Sequence, residues 1–332
     1  MVELIEQIVR YVDMRRATLP CRMAVILAAA AGCSDEVPTP QSMAAQLYWA
    51  QPDTLLVAIA TPTDSKSISR ASMWVADPEA GAVFILAPGE NRYLAFGAGD
   101  LEPTQVHVPA KLAISPELGL SVYDVETQSV DMFTTSGRFI RGFDIEFKPA
   151  VMEYTNAPIG YAFAIASMDY DDTPRVVVIQ TDALGGARDT LLSPDVGPAV
   201  LRGAFAARGE MLITKSSGGL WVWSKAAPDS IYEVASRSAR VIPVRLEDRT
   251  AVGLLSDPNR DMLWFAHVQE AGASYSAYDT RADVESPFLG TRTTPGGFSP
   301  RLVYDGILMG WTRGQHTLVA AAYDLKADEL GQ

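Results

Sequence analysis

The chain has 332 residues, a net charge of −13 and a pI of about 4.7, with 48% hydrophobic and 20% charged residues. That composition excludes a disordered chain and supplies a sizeable core. The acidic balance and the lack of any basic cluster argue against a nucleic-acid partner, whose phosphates need a cationic face.

The first tenth of the chain reads as an address. Arg15, Arg16 and Arg22 precede the apolar run Met23–Ala31, which is followed by Gly32 and Cys33. A basic region, a short apolar region and small residues before a break are the parts of a secretory signal, and the run is far short of the ~20 residues that span a bilayer as a helix. Residues 34–44 then form a polar, Pro-bearing tether. Glu3, Glu6 and Asp13 are out of place ahead of such a signal, so either Met1 or Met14 could be the start. Cys21 and Cys33 are the only cysteines, which leaves the body without an internal disulfide or a thiolate metal site.

The body, residues 45–326, reads as a repeat of short β-prone runs, with residues 327–332 as a tail. The first β-prone segments are residues 45–49 and 54–60; the first is predicted as a closing strand and the second as the inner strand of the first unit, with the reverse assignment as the alternative. Between Pro109 and Phe147 lie four runs: Lys111–Ser115, Leu120–Asp124, Ser129–Phe133 and Phe139–Phe143. Gly, Pro and Ser separate them, the pattern of four antiparallel strands in one sheet. Runs taken as third strands begin at Val83, Val130, Val176, Leu220, Tyr275 and Ala320, which are 47, 46, 44, 55 and 45 residues apart. A period in the forties with strands throughout marks the blades of a propeller. In this register the fourth unit holds Gly203–Ala207, Met211–Thr214, Leu220–Trp223 and Ile231–Val234, and no useful helical periodicity follows residue 34. The sixth unit lacks an outer strand, and an unpaired edge is a liability, so the N-terminal segment is expected to supply it. The predicted fold is an all-β, six-bladed propeller closed by an N-terminal strand.

Two resemblances add to this reading. Ala30–Cys33 resembles the bacterial lipobox, apart from Ala30 where leucine is usual, and implies that Cys33 carries a lipid. The proline before an inner strand, the Gly-led second strand ending in Tyr123–Asp124, and Thr135–Phe139 ahead of the outer strand resemble the NHL-type repeat. More broadly, the chain resembles the six-bladed β-propeller lipoproteins of bacteria. That implies a place in the cell envelope, on the periplasmic or outer-membrane side, and no particular activity.

Chemistry is sparse in the sequence. His107, His267 and His316 have no metal-ligand spacing, and neither a nucleophile elbow nor a phosphate-binding glycine loop is present. The acidic cluster Asp169–Asp172 lacks the pattern of a calcium loop and reads as a solvated turn. A basic residue recurs at or just before successive inner strands: Lys111, Lys148, Arg202, Arg249 and Arg301. A ring of these at the channel mouth would focus positive field on an acidic protein and favour an anionic ligand. The first reading is therefore a lipid-anchored module that binds a ligand or a protein. The alternative is a calcium-dependent lactonase or other hydrolase with its site in the channel, for which Glu153, Asn156 and Asp305 are the oxygen ligands to examine.

Overall fold

Turn-formers decide where each strand stops. The computed structural model describes residues 43–50, 62–88, 90–94, 106–115, 119–156, 159–168, 174–193, 196–206, 211–216, 219–235, 240–269, 272–281, 287–313 and 318–326. Cys33, the stretch 54–60, the cluster 169–172 and His316 lie outside these residues.

The described chain opens with β1 (Met43–Ala44) and β2 (Gln46–Ala50) and then makes six antiparallel sheets. Blade one is β3 (Asp64–Ser69), β4 (Ser72–Asp77), β5 (Ala82–Ala87) and β6 (Glu90–Leu94). Blade two is β7 (Pro109–Ser115), β8 (Gly119–Asp124), β9 (Ser129–Phe133) and β10 (Phe139–Asp144). Blade three is β11 (Pro149–Asn156), β12 (Ile159–Met168), β13 (Pro174–Thr181) and β14 (Ala187–Leu192). A short helix, α1 (Ala199–Ala206), leads to blade four: β15 (Met211–Lys215), β16 (Gly219–Ser224), β17 (Ala227–Ala235) and β18 (Val241–Pro243). Blade five is β19 (Gly253–Asp257), β20 (Met262–Gln269), β21 (Gly272–Asp279) and β22 (Phe288–Pro295). Blade six is β23 (Phe298–Tyr304), β24 (Ile307–Arg313) and β25 (Leu318–Asp324), with β2 as its fourth strand.

The ring is closed. Inner strands β3, β7, β11, β15, β19 and β23 each touch the next, and β23 touches β3. Each of the six junctions also holds a hydrophobic cluster. The junction where the chain ends meet packs Met73, Val75, Phe84 and Leu86 of blade one against Ile307, Met309 and Trp311 of blade six. A blade buried on both faces needs apolar side chains on both, which is why β8 and β16 read as nearly unbroken apolar runs. The outer strand β10 alternates between half-buried and exposed, as a strand with one wet face should.

The closing segment engages two blades. β2 pairs antiparallel with β25, as expected for residues 45–49, while β1 runs parallel to β22, with Met43 opposite Arg292. Arg292, only 2% exposed, donates from Nε to the Leu325 carbonyl at 2.7 Å and ties the end of blade six to the outer strand of blade five.

Three expectations are corrected. The inner place in blade one, expected for residues 54–60, is taken by Asp64–Ser69. The fourth blade is displaced by one strand: Leu220–Trp223 lies in its second strand, and its third is Ala227–Ala235. Gly203–Ala207, expected as an inner strand, falls largely in α1. The helix carries three alanines and follows Pro198, a residue suited to the first turn. Leu201 of α1 is fully buried in the cluster between blades three and four.

Candidate functional site

All six inner strands contribute to one central cavity of about 740 Å³, within the range of small-molecule sites. Its charged lining is Asp64 and Lys66 from β3, Glu153 from β11, Lys215 from β15 and Arg301 from β23. Thr214, Ser256 and Tyr304 add hydroxyls to the wall. Three cations therefore face two carboxylates inside a protein whose net charge is −13.

The five charges are not equivalent. Lys66 crosses the cavity to pair with Glu153, a link from blade one to blade three. Burial works against its ammonium, but Asp64 and Glu153 outweigh that and hold its pKa above the usual lysine value. Asp64 is anchored in turn, accepting the Leu112 amide at 2.8 Å across the junction with blade two. Arg301 places its guanidinium 5.0 Å from the centre of the Trp311 ring. Burial lowers its pKa, with Asp64 opposing, yet an arginine starts so high that it stays charged.

Lys215 stands apart. Burial pushes its pKa down; Glu153 pulls the other way, and the Lys66 ammonium adds to the depression. Among the described residues no carboxylate lies within ion-pair distance of Lys215, since Glu153 is taken by Lys66. An ammonium enclosed without a counter-ion is a costly arrangement that a bound anion relieves.

The structure brings only some of the predicted residues to this site. Of the basic set, Arg301 alone lines the cavity. Lys111 sits near the start of β7 and Lys148 is exposed just before β11, both outside the lining. Arg202 belongs to α1, and Arg249 lies in a 3-10 turn (Leu246–Thr250) ahead of blade five, 2.5 Å from Asp229. The five do not form a ring, because two of the assumed inner-strand positions are helix and turn. Of the oxygen ligands, Glu153 lines the cavity, Asn156 is exposed at the end of β11, and Asp305 is held by Arg260 at 2.8 Å in the turn between β23 and β24. Among the described residues no three carboxylates, histidines or cysteines are gathered to hold a metal.

Lys66 and Lys215 were missed by the sequence reading. Both sit in blades whose inner strand it misplaced.

A second polar cluster lies at the junction of blades four and five. Asp248, in the 3-10 turn, accepts from His267 Nε2 at 2.9 Å, from Ser276 Oγ at 2.6 Å and from the Tyr278 hydroxyl. The Tyr278 oxygen also accepts the Arg245 amide at 3.1 Å. Every polar group of this cluster is thus turned inward onto the turn that starts blade five, which marks it as a structural fastening. His107 is exposed and offers its backbone amide to Asp124.

Comparison with solved structures returns the same architecture. A Bacteroides fragilis protein described as exported is 9% identical, with 85% of this chain and 94% of that one covered and a TM-score of 0.51. The likeness is one of fold. A virginiamycin B lyase from Staphylococcus aureus (13% identity, 81% and 82% covered, TM-score 0.42) and TolB from Acinetobacter baumannii (11%, 78% and 61%, TM-score 0.47) are more distant. No sequence family matches the chain, and no curated protein does.

Proposed function

We propose that this propeller is a lipid-anchored protein of the cell envelope that binds a small anionic ligand in its central channel. Lys215 carries the reading: it is a half-buried lysine with no ion-pair partner among the described residues, in a channel that Lys66 and Arg301 also line. The channel wall half-buries Lys215, so its charge is less well hydrated than that of a surface lysine. A carboxylate or phosphate bound beside Lys215 raises the lysine's affinity for its proton, so binding is coupled to proton uptake.

The test is thermal unfolding with lactate, citrate and phosphate, with glucose and choline as controls. Acids are expected to raise Tm, by the equivalent of about 2.7 kcal/mol at a hundredfold excess over Kd, and Lys215→Gln is expected to remove most of that rise. Equal shifts with choline, or none with any acid, would sink the reading.

The address rests on the basic residues, the apolar run and Cys33 of the N-terminal segment. In a bacterial host supplied with labelled palmitate, the wild-type chain is expected to take up the label and sediment with membranes. Cys33→Ser is expected to lose both properties; label retained in that variant overturns the anchor.

A further inference from the structure

Lys66 and Lys148 frame what is unusual about Lys215. Lys66 keeps its proton, held between Asp64 and Glu153. Lys148 lies exposed in water. Lys215 is half-buried in the channel wall and lacks an ion-pair partner among the described residues. Burial weakens its hold on the proton, Glu153 opposes that, and the neighbouring Lys66 charge adds to the weakening. A lysine that gives up its proton more readily than usual, in a cavity with room for a small molecule, can present a free amine to a carbonyl carbon, the device by which desolvated lysines form Schiff bases.

We infer that Lys215 is the amine of an imine-forming site for small oxo acids, with Arg301 in the same cavity receiving the acid group. This rests on the channel being an anion site. Arg301 is suited to its part because its guanidinium is oriented over Trp311 and has no carboxylate partner among the described residues. A planar guanidinium recognises a carboxylate through paired hydrogen bonds. In the first step Nζ attacks the carbonyl carbon; the C–N bond forms, the C=O π pair moves to oxygen, and a proton passes from nitrogen to that oxygen. The carbinolamine then loses its hydroxyl as water, taking one proton from solvent in the channel, as the nitrogen lone pair makes the C=N bond. One carbonyl, one amine and one proton give one iminium ion and one water, with no oxidant or reductant consumed.

The experiment incubates the full chain with pyruvate or 2-oxoglutarate and cyanoborohydride, which reduces an iminium to a stable amine, and maps the product by peptide mass. The adduct is expected on the peptide bearing Lys215 well before that bearing Lys148, and is expected to be lost in Lys215→Arg. Site mapping uses the wild-type protein, so a variant that fails to fold leaves the main readout intact. Lactate, which has the carboxylate without the carbonyl, separates the two claims. If lactate raises Tm but no pyruvate adduct forms on Lys215, or if labelling is uniform over the lysines, the imine inference falls and the anion reading stands. If lactate has no effect and no adduct forms, both fall. An adduct on Lys215 that lactate competes away supports both.

Discussion

Asp248→Ala is expected to destabilise the protein by about 3–5 kcal/mol, the range for breaking a buried charged network. The carboxylate is 2% exposed and accepts from His267, Ser276 and Tyr278 at once. Removing it leaves three donors behind, of which Ser276 and Tyr278 are buried, and an orphaned buried donor costs about 1–3 kcal/mol. Relief of the carboxylate's own desolvation offsets part of that sum. Chemical denaturation of wild type and variant reads the difference, and a loss under about 1 kcal/mol would mean the network holds nothing.

The same residue gives a pH test with a definite sign. Burial raises the pKa of Asp248, but the hydrogen bonds from His267, Ser276 and Tyr278 outweigh it and hold the value below the ordinary carboxylate range. A depressed acid contributes stability that is fully present above its unfolded value of about 3.9 and is lost as pH falls through the lower folded value. The Tm gap between wild type and Asp248→Asn should therefore be constant above that point and narrow below it. Comparing the two proteins cancels Asp131 and Asp257, whose pKa values burial raises and which act in the opposite sense. A gap that widens in acid would contradict the assignment.

The fold was legible because a closed ring repeats one physical problem six times: a small sheet buried on both faces between turns. Period and apolar runs carry that information locally. What failed was the inner strand of blade one, expected in the apolar stretch 54–60 and found in the more polar Asp64–Ser69, and the register of blade four. Alignment on third strands places Val83–Leu86 correctly in β5 but takes Leu220–Trp223, the second strand of blade four, for a third, because any short β run scores equally well there. A less ambiguous mark was available in Gly119, which opens β8 with φ +106° and whose missing Cβ would fall 2.3 Å from the Phe133 carbonyl. Gly219 opens β16 in the same relation, 2.2 Å from the Val234 carbonyl. Alignment on these glycines makes Met211–Lys215 an inner strand and puts Lys215 at the channel. The site itself was not legible: the Lys66–Glu153 pair joins residues 87 positions apart across the axis, a distance no local pattern encodes.

Trp264→Ala is expected to cost about 3–5 kcal/mol, as for other large aromatics removed from a core. Trp264 is fully buried in the junction between blades five and six, in a cluster with Tyr275 of its own blade and Phe298, Val303, Leu308 and Tyr323 of the next. The surroundings are strands fixed by ladders on both sides, so the space left by the indole has little means of collapsing. Trp264→Phe separates packing from polarity. Among the described residues the indole N–H has no hydrogen-bond partner, so phenylalanine loses volume while removing an unsatisfied donor. Its cost is expected to be well under half that of alanine. The ring adds a further requirement. With β2 pairing onto β25 and blade six packed on blade one, no blade has a free side from which to peel away. Unfolding of Trp264→Ala followed by tryptophan fluorescence and by far-ultraviolet circular dichroism should give coincident transitions at a lower denaturant midpoint with an unchanged slope. Two separated transitions would mean that this junction opens by itself, which a closed circle of sheets does not permit.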